Sequence, residues 1–196
     1  FRTKAGLCGG IFSFLKNRFM QKTETAAVQS IGVDCVREIA GLNTQFDIFR
    51  FLKRLTEAWG FKAFMVLDLS AEMASELSQC TTITSWPAEL LQRYDEEGLL
   101  QRSRVMAQLK KSTTPFSVSL DFLVSGDENA PKKPVIGLFE RFDMINSVWF
   151  PVHDITTMRG AVSFSGNKTS LPTSQLAELF YISSHVFSRL SEIRRL

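Results

Sequence analysis

The chain has 196 residues, 44% of them hydrophobic and 22% charged, with a formal net charge of +3. This suits one domain with its own core, burying roughly 70% of the unfolded surface, and the small charge does not imply a nucleic-acid surface, which usually shows a basic stripe. Cys8, Cys35 and Cys80 are odd in number and far apart, without CxxC or Cys/His ligand spacing, so neither a disulfide framework nor a metal site is expected and a cytoplasmic setting fits.

Residues 1–42 read as an amino-terminal helical extension, and 43–196 as the main domain. Within the extension, Gly6–Met20 is apolar with basic flanks, like a signal-peptide core, but no small-residue cleavage site follows. It reads as a helix that docks on the domain or lies at an interface. No apolar run reaches the ~18 residues of a membrane span. Thr23–Ile39 carries Ala27, Val28, Ile31, Val36 and Ile39 at roughly helical spacing. A stronger helix follows. Thr44 caps it with Asp47 three residues on, Ile48, Leu52, Leu55 and Trp59 form one apolar stripe, and Gly60 stops it.

Phe61–Leu69 is almost continuously apolar and predicts a central strand. Cys80–Ser85 predicts the next strand, and Pro87 opens a helix over Ala88–Tyr94. Gln101–Lys111 predicts another helix, Pro115–Leu123 a short strand or edge, Gly126–Pro134 a surface loop and Val135–Phe142 a short helix. Ser147–Val152 and Gly160–Phe164 predict a hairpin. Pro172 starts the last helix with Thr173 as its cap. Leu176, Leu179, Phe180, Val186, Phe187, Leu190 and Ile193 give that helix more than one apolar stripe. One stripe serves its own sheet. The other, through Leu179, Val186, Leu190 and Ile193, is expected to meet a partner subunit. The whole reads as an α/β fold, an α-β-α sandwich around an antiparallel sheet of about five strands.

No catalytic constellation is visible, so no enzyme activity and no cofactor are expected. His153 beside Asp154 reads as a hydrogen-bonded turn, and His185 as a core or interface residue. No GxSxG, Walker or GxGxxG motif occurs. Lys110–Lys111, Lys132–Lys133, Arg194–Arg195 and Glu96–Glu97 read as solvated charges. What stands out is 17 phenylalanines and three tryptophans, which line cores and also apolar ligand pockets.

The segment Trp86–Phe116, WPAELLQRYDEEGLLQRSRVMAQLKKSTTPF, carries a resemblance. It resembles the autoinducer-binding domain of LuxR-type bacterial transcription regulators. That family shows an aromatic residue, Trp four residues on, Tyr four further, then Asp-Pro-Val nine residues later, and Pro-Phe with a Trp close behind. Trp86, Tyr94, Val105 and Pro115–Phe116 keep their places. Trp59-Gly60-Phe61, Phe142-Asp143-Met144 and Val148-Trp149-Phe150-Pro151-Val152 resemble the family's helix-to-strand step and its later strand, and Gly160 begins the next one. The resemblance covers about residues 43–195. It implies a signal-sensing and dimerising domain whose helix-turn-helix partner domain lies outside this chain, so that DNA contact belongs to the parent protein only. Rhizobial motility regulators are one branch that fits.

The departures bear on ligand choice. In the family the Trp donates to the lactone carbonyl and the Asp accepts from the acyl amide. Here those places hold Leu90 and Ser103, and the later Trp place holds Val118. Asp143 and Ser147 stand at family glycines. Each lost polar contact costs ~1–3 kcal/mol of affinity, so a standard acyl-homoserine lactone is not the expected ligand. The expected pocket is lined by Trp86, Leu90, Tyr94, Ser103, Val105, Val118, Met144 and Trp149, with Tyr94 and Ser103 as polar anchors. It suits a small apolar or amphipathic molecule. Two alternatives stay open: a ligand-free module that pairs as a homodimer or heterodimer, and a GAF- or PAS-like sensor sharing the sandwich. A void above ~300 Å³ favours the sensor, and native packing density the module.

Overall fold

The computed structural model describes residues 32–70, 74–120 and 134–196. Gly6–Met20, the first part of Thr23–Ile39, most of the Gly126–Pro134 loop and the end of Pro115–Leu123 lie outside the described residues. Residues 32–40 are helical.

Helix α1, Gln45–Ala58, starts at a reciprocal cap. The Thr44 hydroxyl accepts from the Asp47 N–H at 3.1 Å, and the Asp47 carboxylate accepts from the Thr44 N–H at 3.1 Å. It ends at Trp59, and Gly60 turns the chain into the sheet at φ +74°, a conformation that suits glycine. Strand β1 is Ala63–Asp68, short helix α2 is Leu77–Cys80, and strand β2 is Thr81–Thr84. Helix α3, Ala88–Glu96, begins after Pro87, and its Asp95 carboxylate accepts from the Leu77 and Ser78 N–H groups at the start of α2.

The helix expected over Gln101–Lys111 is split. A 3₁₀ turn covers Leu100–Arg102, and helix α4 covers Arg104–Lys111, because Ser103 is extended and caps α4. Strand β3 is Phe116–Ser119, and the next element among the described residues is helix α5, Pro134–Arg141, which begins at the proline assigned from sequence to a loop. Strands β4, Asn146–His153, and β5, Arg159–Gly166, form the hairpin, and helix α6 runs from Thr173 to Arg195. Thr173 is the first helical residue of α6 and not its cap. Pro172 holds the cap position, without a side-chain bond.

The five strands pair in the order β2-β1-β5-β4-β3, all antiparallel. Alternation divides the sheet residues between two cores. Phe64, Val66, Val148, Phe150, Val152, Val162 and Phe164 pack against α1 and α6. Met65, Leu67, Val118, Trp149 and Ala161 pack against α2 to α5. The result is the α-β-α sandwich read from sequence. Gly160 is required by close approach: a Cβ there would lie 2.1 Å from the Phe187 ring and 2.6 Å from the Leu67 carbonyl oxygen.

The stripe expected to meet a partner is placed differently. Leu179 and Val186 are fully buried, Leu190 is 2% exposed and Ile193 is half-buried, all in the core between α6, α1 and the sheet. Two stripes were visible because the helix contacts two elements of its own chain. Among the described residues of α6, the large hydrophobic side chain left exposed is Tyr181, at 51%, edge-on to His185 at 4.6 Å.

Candidate functional site

The second core contains a cavity. Trp86 enters it just ahead of α3, its backbone N–H held by the Thr84 hydroxyl at 3.0 Å, which in turn donates to the Phe64 carbonyl. Its indole meets the rings of Tyr94 at 6.3 Å and Phe139 at 5.3 Å, both edge-to-face. Outside, an Arg141–Glu89 ion pair joins α5 to α3.

The cavity is about 30 Å³. Of the eight residues expected to line it, Trp86, Tyr94, Ser103, Val105, Val118, Met144 and Trp149 do so. Leu90 does not. It is fully buried in the same core without reaching the void. Sequence reasoning missed Leu77, Ser119, Leu120, Phe139, Ile145, Ser147 and Ser165 in the wall.

Most of this wall is apolar, which makes its polar atoms informative. Trp149 Nε1 donates to the Ser147 hydroxyl at 2.9 Å. Burial pushes the Tyr94 phenol above its usual pKa, and a hydrogen bond with the Ser103 side chain opposes the shift. Ser103 was expected to be a free acceptor for a ligand. Its hydroxyl already accepts from the Met106 N–H at 3.2 Å, so part of its capacity goes to capping α4. Trp86 Nε1 and Ser165 Oγ, by contrast, are buried with no hydrogen-bond partner, and so is the neighbouring Ser163 Oγ.

The signal for these serines was present in the strand sequence. Gly160-Ala161-Val162-Ser163-Phe164-Ser165 alternates small with large residues. Ala161, Ser163 and Ser165 share one face of the central strand, opposite Trp149 at Ser163 and Ser147 at Ser165. A column of small side chains in mid-sheet leaves room above it.

On its other side Ser103 borders an open groove of about 1090 Å³, with Leu69, Cys80, Leu100 and Met106 also in its wall. Among the described residues no cluster suited to a metal ion exists, and no helix is long and apolar enough to cross a membrane. The His153–Asp154 pair is a hydrogen-bonded turn, as read from sequence, through Asp154 alone: its buried carboxylate accepts from Thr156, Met158 and Arg195, while His153 is exposed.

The sequence pattern of the autoinducer binding domain matches residues 44–190. The chain belongs to the autoinducer-binding domain family. No curated protein matches it. Among solved structures, the domain is similar to the LuxR-family transcription factor CepR2 of Burkholderia cenocepacia, described as N-acylhomoserine lactone dependent, at 15% identity and a TM-score of 0.65, covering 87% of this chain and 99% of that one. It is also similar to Escherichia coli SdiA in complex with octanoyl-rac-glycerol, at 11% identity and a TM-score of 0.64, covering 84% and 66%. A GAF domain of a sensor histidine kinase from Pseudomonas syringae pv. tomato gives 11% identity and a TM-score of 0.55, covering 91% and 94%. At these identities the structures show a common fold, and the sequence pattern decides for the autoinducer-binding domain over GAF. Asp143, standing at a family glycine, keeps a left-handed backbone at φ +54°, which Asp tolerates better than most residues.

Proposed function

We propose that this autoinducer-binding domain senses a small amphipathic molecule with a hydrogen-bond acceptor on an apolar body, and that it does not select for the homoserine lactone ring. The supporting observation is the pair of buried, unpartnered atoms in one apolar wall, Trp86 Nε1 and Ser165 Oγ. An unsatisfied buried polar group costs about 1–3 kcal/mol. A ligand carbonyl set between them recovers that cost. Two further observations support this reading: leucine at position 90 carries no donor and does not reach the void, and part of the hydrogen-bonding capacity of Ser103 goes to capping α4. The open groove beyond Ser103 offers an approach.

In this form the wall closes around a void with room for about one water. Binding therefore requires α3, α4 or α5 to move outward, and the tail then gains about 0.8 kcal/mol per buried methylene. SdiA accommodates octanoyl-rac-glycerol on the same fold, which makes that molecule a useful probe beside N-octanoyl homoserine lactone. Calorimetry with both tests the proposal. Comparable affinities support it, and strong preference for the lactone refutes it.

A second reading is favoured by the same small volume: a ligand-free module whose pocket is filled by its own side chains, with one water between Trp86 and Ser165. Regulation then comes from pairing with a second subunit. Because Leu179, Val186 and Leu190 are internal, such pairing would use a different surface, and on α6 the Tyr181–His185 face is available. Sedimentation of the domain and of Tyr181→Glu tests this. A dimer lost in the variant, with neither probe binding, supports the module. As in related regulators, contact with DNA would belong to a separate domain.

A further inference from the structure

Helices α4 and α6 lie on opposite faces of the sheet, so no apolar contact joins them directly. A chain of polar contacts passes around the end of the sheet instead. It begins at Ser103, which lines the cavity and caps α4 through the Met106 N–H at 3.2 Å. At the other end of α4 the Leu109 and Lys110 carbonyls accept from the Arg159 guanidinium at 2.9 and 3.4 Å. Arg159 opens β5 directly after the turn at residues 154–158.

That turn is wound around Asp154. One carboxylate oxygen accepts from the Thr156 N–H at 2.8 Å, the Thr156 hydroxyl at 2.7 Å and the Met158 N–H at 3.1 Å. These bonds hold Thr157 at φ +65°, a left-handed conformation that a β-branched residue adopts only under constraint. The other oxygen accepts from Arg195, the last residue of α6, at 2.9 Å. A strained turn thus sits between two arginine contacts, one to each helix.

We propose that Arg159 is a positioning residue that couples the setting of α4, and so of the pocket wall, to the carboxyl-terminal end of α6. The planar guanidinium bridges two carbonyls at once, so a shift of α4 moves Arg159 as a unit. Arg159 is continuous with the constrained turn, and relaxation at Thr157 changes how Asp154 presents itself to Arg195. Arg194 anchors the end of α6 separately, to Asp68 and Thr82 at 3.3 Å, and provides a control outside this route.

Hydrogen exchange resolved along the intact chain tests the coupling without a ligand. Ser103→Ala removes the α4 cap and is expected to speed amide exchange in α4 and in the last turn of α6 by about fivefold. In the Arg159→Ala background, Ser103→Ala should speed exchange in α4 only. In the Arg194→Ala background the effect of Ser103→Ala at the end of α6 should persist. If Arg159→Ala speeds exchange everywhere, including β1, Arg159→Lys replaces it, since lysine keeps the charge but cannot present the two-armed fork. The proposal is overturned if the effect of Ser103→Ala stays within α4 in the unmodified background, or reaches α6 equally with and without Arg159.

Discussion

Trp86 and Ser165 come from different elements to line one cavity, and neither the indole Nε1 nor the serine Oγ has a hydrogen-bond partner. Replacing Ser165 with alanine removes the unpartnered hydroxyl and leaves the packing nearly unchanged. Ser165→Ala is therefore expected to stabilise the unliganded domain by about 1 kcal/mol, read as a higher urea midpoint with unchanged slope. A lower midpoint would show that the hydroxyl is satisfied by something the domain already contains.

Gly160 is set by sterics. Its missing Cβ would fall inside the Phe187 ring and against the Leu67 carbonyl. One neighbour is backbone of a central strand, so the fold cannot yield cheaply on that side. Gly160→Ala is expected to cost at least about 1–3 kcal/mol and to lower the thermal midpoint or abolish soluble expression. A variant as stable as the parent would contradict this packing.

Asp154 gives the domain a distinct response to acid. The Thr156 hydroxyl, two backbone N–H groups and Arg195 hold its carboxyl below the usual range against the opposing effect of burial. A carboxylate with a lowered folded pKa adds stability above its unfolded value, about 3.9, and loses it as pH falls through the folded value. Urea midpoints of the parent should fall across that window. Asp154→Asn should be less stable near neutral pH and should show a shallower fall. Parallel curves for the two proteins would remove Asp154 from the acid response.

Much of this arrangement was legible in the residues, because the signals were local. Thr44 with Asp47 and then Gly60 marked both ends of α1, and the two short apolar runs Ser147–Val152 and Gly160–Phe164 marked the hairpin. The segment from Trp86 to Phe116 holds four of the cavity-wall residues expected from sequence, Trp86, Tyr94, Ser103 and Val105, and Val118, Met144 and Trp149 join them from β3, the turn before β4 and β4 itself. The misreadings arose where one pattern serves two purposes. Ser103 stood at the position of a ligand acceptor, but a serine ahead of a helix is also an N-cap, and the cap takes one of its lone pairs. Leu90 was placed in the wall because it stands where the family pattern has its Trp, yet the shorter side chain packs fully inside the core without reaching the void. The second stripe of α6 looked available to a partner because a sequence does not show that α1 and the sheet both contact that helix. The orphan hydroxyls of Ser163 and Ser165 depend on which side chains close over mid-sheet, and that is set by residues distant in sequence.

The central claim rests on the Trp86 indole as donor to a bound acceptor. Trp86→Phe keeps an aromatic ring against Tyr94 and Phe139 and removes only the N–H and part of the ring. Calorimetric titration of the parent and of Trp86→Phe with the two octanoyl probes tests it directly. The expected result is binding of both probes to the parent with little preference for the lactone, and a loss of about tenfold or more in Trp86→Phe, as one buried hydrogen bond implies. Sub-micromolar, lactone-selective binding by the parent, or equal binding by parent and variant, would contradict the account.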